Sequence, residues 1–181
     1  IGHGWFFLVE ALVCWMIQTA PVRADMVLTD RQSSTQWLSP SNRAMQEDLS
    51  LNPASFWLLD GQALWQEPPR AGAPACQSCH GDISRMRGVD ALYPKRVGGE
   101  LRNLDDQINR CRQDRQGSAP WAAESRPLLS LSLAVAHPSR GLPIAVDPAK
   151  DLHADLEAGR QLFRQRMGQI HLSCANCHDE R

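Results

Sequence analysis

Apolar positions along this chain recur mainly at helical spacing. Leu152, Leu156, Gly159 and Phe163 stand close to the helical period, and Pro148 and Asp151 just before them are helix-start residues. An earlier stretch, "SFWLLDGQALW", predicts a shorter helix that ends at Pro68-Pro69, since proline breaks a helix interior. In "GGELRNLDDQINRCR", Leu101, Leu104, Ile108 and Cys111 fall on one helical face, with Gly98 and Gly99 marking its N-terminal boundary. "ESRPLLSLSLAVA" predicts another helix with Pro127 near its first turn, although Leu129, Leu131, Leu133 and Val135 also alternate as in a strand. "HPSRGLPIAVDP" is rich in Pro and Gly and is expected to be a connector.

The helices are arranged twice on one plan. Placing "DGQALWQEPPRAGAPACQSCHGD" over "AGRQLFRQRMGQIHLSCANCHDE" matches Gly61 with Gly159, Leu64 with Leu162 and Trp65 with Phe163. Cys76, Cys79 and His80 match Cys174, Cys177 and His178, and Leu58 matches Leu156, all at an offset of 98 residues without a gap. Such a repeat predicts two copies of a helix, a loop and a short helix beginning within the cysteine motif. The expected organisation is a mostly α chain with an N-terminal domain over residues 25–140, a linker over 141–150, and the start of a second domain over 151–181. Because only three residues follow His178, the second domain is expected to be incomplete.

Composition narrows the class. The 181 residues are 43% hydrophobic and 22% charged, as in a globular protein of one or two small domains. A net charge of -1 gives no support for nucleic-acid binding by bulk electrostatics. Arginines 85, 87, 96, 102, 110, 112 and 115 cluster locally; they form either a solvated surface or a positive face for an anionic ligand or acidic partner. The opening "GWFFLVEALVCWMIQTAPVRA" is too short and too interrupted to span a membrane comfortably, and it ends in Val22-Arg23-Ala24. Residues 1–24 are expected to be a secretory signal removed after Ala24, taking Cys14 with them. Glu10 and the missing basic n-region depart from that pattern, and the competing reading is a hydrophobic anchor left in place. Either reading puts the body outside the cytoplasm, and the preferred one leaves no membrane span in the mature chain.

Outside the cytoplasm, a C-x-x-C-H pentapeptide points to covalent haem c. Two thiols at that spacing reach the two vinyl groups on one porphyrin edge, and the following histidine comes beneath the iron. Cys76 with Cys79 and Cys174 with Cys177 are therefore expected to attach two haems, with His80 and His178 as proximal ligands. A thioredoxin-like pair would not need the histidine and would follow a strand. Zinc held by all four thiols would leave both histidines idle. A buried porphyrin would also enlarge a thin core, so the apo-protein is expected to be poorly folded.

Cys111 is then the odd thiol. It could form an intermolecular disulfide, stay inert and buried, or ligate a metal. Its register turns it inward, which disfavours the disulfide. It follows His80 by 31 residues, enough chain to fold over the distal face of the first haem. Flanking Arg110 and Arg112 are expected to favour its thiolate, and thiolate ligation would give that haem a low potential. Met86 and His137 are rivals: Met86 is only six residues past His80 and is expected on the attachment side. His153 and His171 are expected to be surface or packing residues, with a ligand role left open for His171 near the second motif.

The segments "NPASFWLLDGQALW", "CQSCHGD", "YPK", "LDDQINRCRQDRQG", "ESRPLLSL", "SRGLPIAV", "GRQLF" and "CANCHDE" together resemble the SoxA family, c-type cytochrome subunits of periplasmic thiosulfate oxidation. The resemblance implies tandem cytochrome c domains, a SoxX partner, and Cys111 as the cysteine ligand of the N-terminal haem. It implies oxidative coupling of thiosulfate to a cysteine thiol of the SoxYZ carrier, with electrons passed to a further cytochrome c. The family's catalytic cysteine and its arginine belong to a stretch after "CHDE", so no catalytic residue is expected before Arg181, and the chain alone is expected to lack transferase activity. Composition and motifs by themselves would fit a plain diheme electron carrier, or a diheme peroxidase if one iron had an open distal site.

Overall fold

The computed structural model describes residues 34–146 and 152–179. The expected signal over 1–24, Cys14, and residues 147–150 of the linker lie outside them. The described residues fall into two compact units, one ending at Arg43 and one from Ala44 onward. Apart from residues 40–43, everything below concerns the second.

Helix α1 (Pro40–Glu47) is followed by α2 (Ser55–Gln66), whose last backbone bonds give way to extended Glu67 and then the two prolines. The buried residues of α2 are Leu58, Gly61 and Trp65, one face of a helix. They meet α5 (Arg126–Ala136), which buries Leu128, Leu131, Ala134 and Val135 and carries Pro127 in its first turn. The sequence's alternating leucines thus resolve as helix, because the buried positions follow a period near 3.6 rather than 2. Gly61 lets the two helices touch. A Cβ there would fall onto the Ser130 carbonyl and lie 2.7 Å from the Ala134 Cβ.

Helix α3 (Cys76–His80) is the motif itself, and a loop with two 3-10 turns leads to a hairpin. Strands β1 (Lys95–Val97) and β2 (Glu100–Arg102) pair antiparallel, Arg96 opposite Leu101. Here the structure corrects the sequence reading. Gly98 and Gly99, at φ of 61° and 85°, form the two-residue hairpin turn rather than a helix lead-in. Leu101 accordingly sits in β2, 44% exposed, not on the helix face.

Helix α4 (Leu104–Asp114) starts at Asn103 instead, through a capping box. The Asn103 side chain accepts from the Asp106 N–H at 2.8 Å, and the Asp106 carboxylate accepts from the Asn103 N–H at 3.0 Å. The Ser132 hydroxyl donates to Asp105, tying α4 to α5. Trp65, Leu131 and Val135 form the buried centre, with Ile83, Met86, Leu104 and Ile108 packed around it.

The described part of the connector is fastened down: Ala145 N–H donates to Ala91 at 2.7 Å, and Arg140 donates to the Gln46 carbonyl at 2.7 Å. Helix α6 (His153–Arg164) and α7 (Cys174–His178) complete the described chain. Arg96 of β1 grips Asp155 of α6 with Nη2 at 3.0 and 2.8 Å from the two carboxylate oxygens. The fold is mostly α, as the periodicity predicts.

Candidate haem site

Each C-x-x-C-H pentapeptide is a single helical turn, so its cysteines and histidine project from adjacent points of one short helix. In α3 the histidine is held from behind by α2. The Trp65 ring lies 5.6 Å from the His80 ring at an interplanar angle of 38°. Trp65 Nε1 also donates to the Gly81 carbonyl at 3.0 Å, pinning the chain where it leaves the motif at a φ of 74°. The second motif repeats the arrangement with Phe163, 6.4 Å from His178 at 42°. Phenylalanine has no N–H, so the indole bond belongs to the first copy alone.

Trp65→Phe in the haem-loaded chain removes that bond together with part of a buried ring, and is expected to cost about 2–3 kcal/mol. It should lower the melting temperature by roughly 4–12 °C, and an unchanged melt would show that neither the bond nor the ring's packing holds the motif.

A cavity of about 280 Å³ opens in front of α3, lined by Cys76 and His80. Helix α4 supplies Leu104, Gln107, Ile108, Cys111 and Arg112 to the same cavity. Leu131 and Val135 of α5 close it, so its surface is largely apolar. A second compartment of about 240 Å³ adjoins at the Cys76 end; Cys76, Arg112, Gln116 and Leu131 line both. Unbridged thiols, an imidazole and apolar walls fit a covalently held porphyrin: the thiols can form thioethers, and the walls can bury the ring.

Cys111 lines this cavity with His80, and Met86 lines it as well. His137 opens the 3-10 turn after α5 and is not part of the lining. His153 and His171 are exposed. Cys174, Cys177 and His178 are exposed on α7. Among the described residues no group of three or more His, Cys, Asp or Glu side chains is arranged to hold a metal ion.

The electrostatics correct one expectation. Arg110 is turned away into an ion pair with Asp114 at 2.7 Å. Arg112 lies 3.5 Å over the Trp121 ring and donates to the Ala119 carbonyl. Burial therefore pushes the Cys111 thiol up, helped by nearby Cys79, and the cation that offsets this is Arg115. Burial likewise pushes Cys76 up, with Cys111 adding to it and a bond from Gln116 opposing it. Gln116 itself is buried, with Nε2 at 3.0 Å from the Pro74 carbonyl and 3.7 Å from Cys76 Sγ. No sequence period marked it.

A haem-binding motif covered by helices around one apolar cavity defines a cytochrome c domain. Residues 60–144 match the family model described as SoxA/TsdA, cytochrome c domain. The chain is homologous to SoxA, the cytochrome subunit of the SoxXA complex. It is 30% identical to the L-cysteine S-thiosulfotransferase subunit SoxA of Rhodovulum sulfidophilum, over 91% of this chain and 59% of that one. The SoxA subunit of Pseudaminobacter salicylatoxidans is 27% identical over 97% of this chain and 69% of its own length. The crystal structure of SoxXA from P. pantotrophus matches with a TM-score of 0.77 and 27% identity, over 82% of this chain and 57% of that chain. The chain thus spans a little over half the length of the first of these relatives and of the crystallised subunit. No described helix is long and apolar enough to cross a membrane.

Proposed function

We propose that this chain works in the periplasm as the SoxA-type subunit of an L-cysteine S-thiosulfotransferase, paired with a SoxX-type cytochrome. Its substrates are thiosulfate and a cysteine thiol of a SoxYZ-type carrier. Joining the two sulfurs makes a cysteine S-thiosulfonate and releases the thiol proton and two electrons. The haems supply the exit for those electrons toward a further cytochrome c. The observation that carries this reading is the cavity shared by His80 and Cys111 in a chain homologous to SoxA.

Cys76 and Cys79 would hold the first haem, His80 and Cys111 would ligate it, and Cys174, Cys177 and His178 would serve the second. The repeated aromatic-on-imidazole geometry supports a second haem. Residues 25–140 form the first cytochrome domain on this reading, and residues 151–181 begin the second. Leu156 and Leu162 of α6, the counterparts of Leu58 and Leu64, are 47% and 57% exposed, and a Cβ at Gly159 would meet nothing within 4 Å. A second domain built on the same plan would place a helix on that face. All five described cysteines are committed to haem on this reading, so none is assigned as the sulfur nucleophile.

Disrupting the chromosomal gene should abolish thiosulfate oxidation by the host and the thiosulfonate adduct on the carrier. The intact gene should restore both. Thiosulfate oxidation that persists in the disrupted strain would leave a plain electron carrier as the better reading.

A further inference from the structure

The cavity has two chemically different ends, and a haem has two different edges. We propose that the first haem lies with its propionates at the Tyr93–Gln107 end, where Arg102, acting through Gln107, is the cation that positions and neutralises them. This rests on the reading that Cys76 and Cys79 hold a haem.

Thioethers form at the vinyl edge of the ring, and the propionates leave from the opposite edge. Cys76, Arg112 and Gln116 mark one end of the cavity. Helix α4 runs from there back to Leu104, so Gln107 lies one turn and Leu104 two turns from Cys111, about 6 Å and about 10 Å along the axis. Gln107 lines this far end, and Tyr93, which lines the same cavity, lies two residues before Lys95, the strand partner of Arg102.

The far end is also the one equipped for carboxylates. Arg102 Nη1 donates to Gln107 Oε1 at 3.2 Å, which leaves the Gln107 amide N–H groups to donate elsewhere. The Arg102 side chain is only 14% exposed, so its charge is poorly screened. Its other contact is the Glu100 carboxylate at 2.7 Å, a side chain 71% exposed that offsets part of the Arg102 charge. The Tyr93 ring carries Lys95 Nζ at 4.6 Å from its centroid. At the opposite end, the adjoining compartment holds Glu67, a like charge for propionates, and its Arg112 is already stacked on Trp121 and bonded to Ala119.

The test uses the full exported, haem-loaded chain. Resonance Raman propionate bending bands should shift in Tyr93→Phe and in Arg102→Leu, and stay put in Arg112→Leu. A cation near the ring favours the reduced haem, so Arg102→Leu should move its reduction equilibrium roughly tenfold toward ferric, about 59 mV for one electron. Arg102→Lys should recover most of that shift. Bands that follow Arg112, or that move with none of these variants while haem stays attached, would overturn the orientation. A Cys76–Cys79 peptide without haem in the wild-type protein would instead remove the reading beneath it.

Discussion

Cys111→Met in the haem-loaded chain is expected to raise the potential of one haem by on the order of a few hundred millivolts and to replace one low-spin ferric EPR signal. Axial ligands move haem potentials across about 0.8 V, and an anionic thiolate favours ferric iron where a thioether favours ferrous. The structure sharpens this expectation. Burial holds the Cys111 thiol up and Arg110 and Arg112 are engaged elsewhere, so the thiolate form depends on the metal. Methionine is unbranched and fits a cavity already walled by Met86, Ile108 and Leu131, so the variant tests the ligand without emptying the site. Redox titration with EPR reads the result. An unchanged spectrum and potential would reject Cys111 as ligand.

Gly61→Ala is expected to be the most damaging single-methyl change in the first domain. The added carbon meets the main-chain carbonyl of Ser130, which cannot rotate aside, and the Ala134 Cβ at 2.7 Å. Forcing α2 from α5 would part the contact that buries Leu58, Trp65, Leu131 and Val135, and would shift the tryptophan that backs His80. Overpacking of this kind costs about 3 kcal/mol, which lowers the melting temperature of a chain this size by roughly 6–12 °C. Ala134→Gly should rescue it only in part, since the nearest obstacle is backbone. Gly159→Ala is the control: it meets no atom within 4 Å among the described residues and should leave the first haem unaffected. Equal melts for Gly61→Ala and wild type would contradict the helix contact.

Where the chain's own pattern carried the signal, the fold was legible. Leu152, Leu156, Gly159 and Phe163 announced α6 by period, and the 98-residue register announced α2 as its shorter copy, with Pro68 at its end. Helix α5 was legible despite its alternating leucines, because Pro127 suits a first turn. The hairpin was not: three-residue strands are shorter than any usable period, and Gly98-Gly99 serves equally as a helix boundary or as a turn with positive φ. At the site, the motifs and the inward turn of Cys111 could be read from spacing. The place of Gln116 could not, because its contacts with Pro74 and Cys76, far away in sequence, decide it. Arg110 and Arg112 show the same limit from the other side. Adjacency in sequence suggested that they attend Cys111, whereas side-chain direction sends one to Asp114 and the other to Trp121.

The most direct test is a count of covalent haem. The exported protein, matured in a host that attaches haem c, should give two haems per chain by pyridine haemochrome, retained after acid-acetone extraction and mapped to peptides holding Cys76–Cys79 and Cys174–Cys177. A chain carrying one haem would remove the second site, and a colourless chain with all four thiols free would contradict the account as a whole.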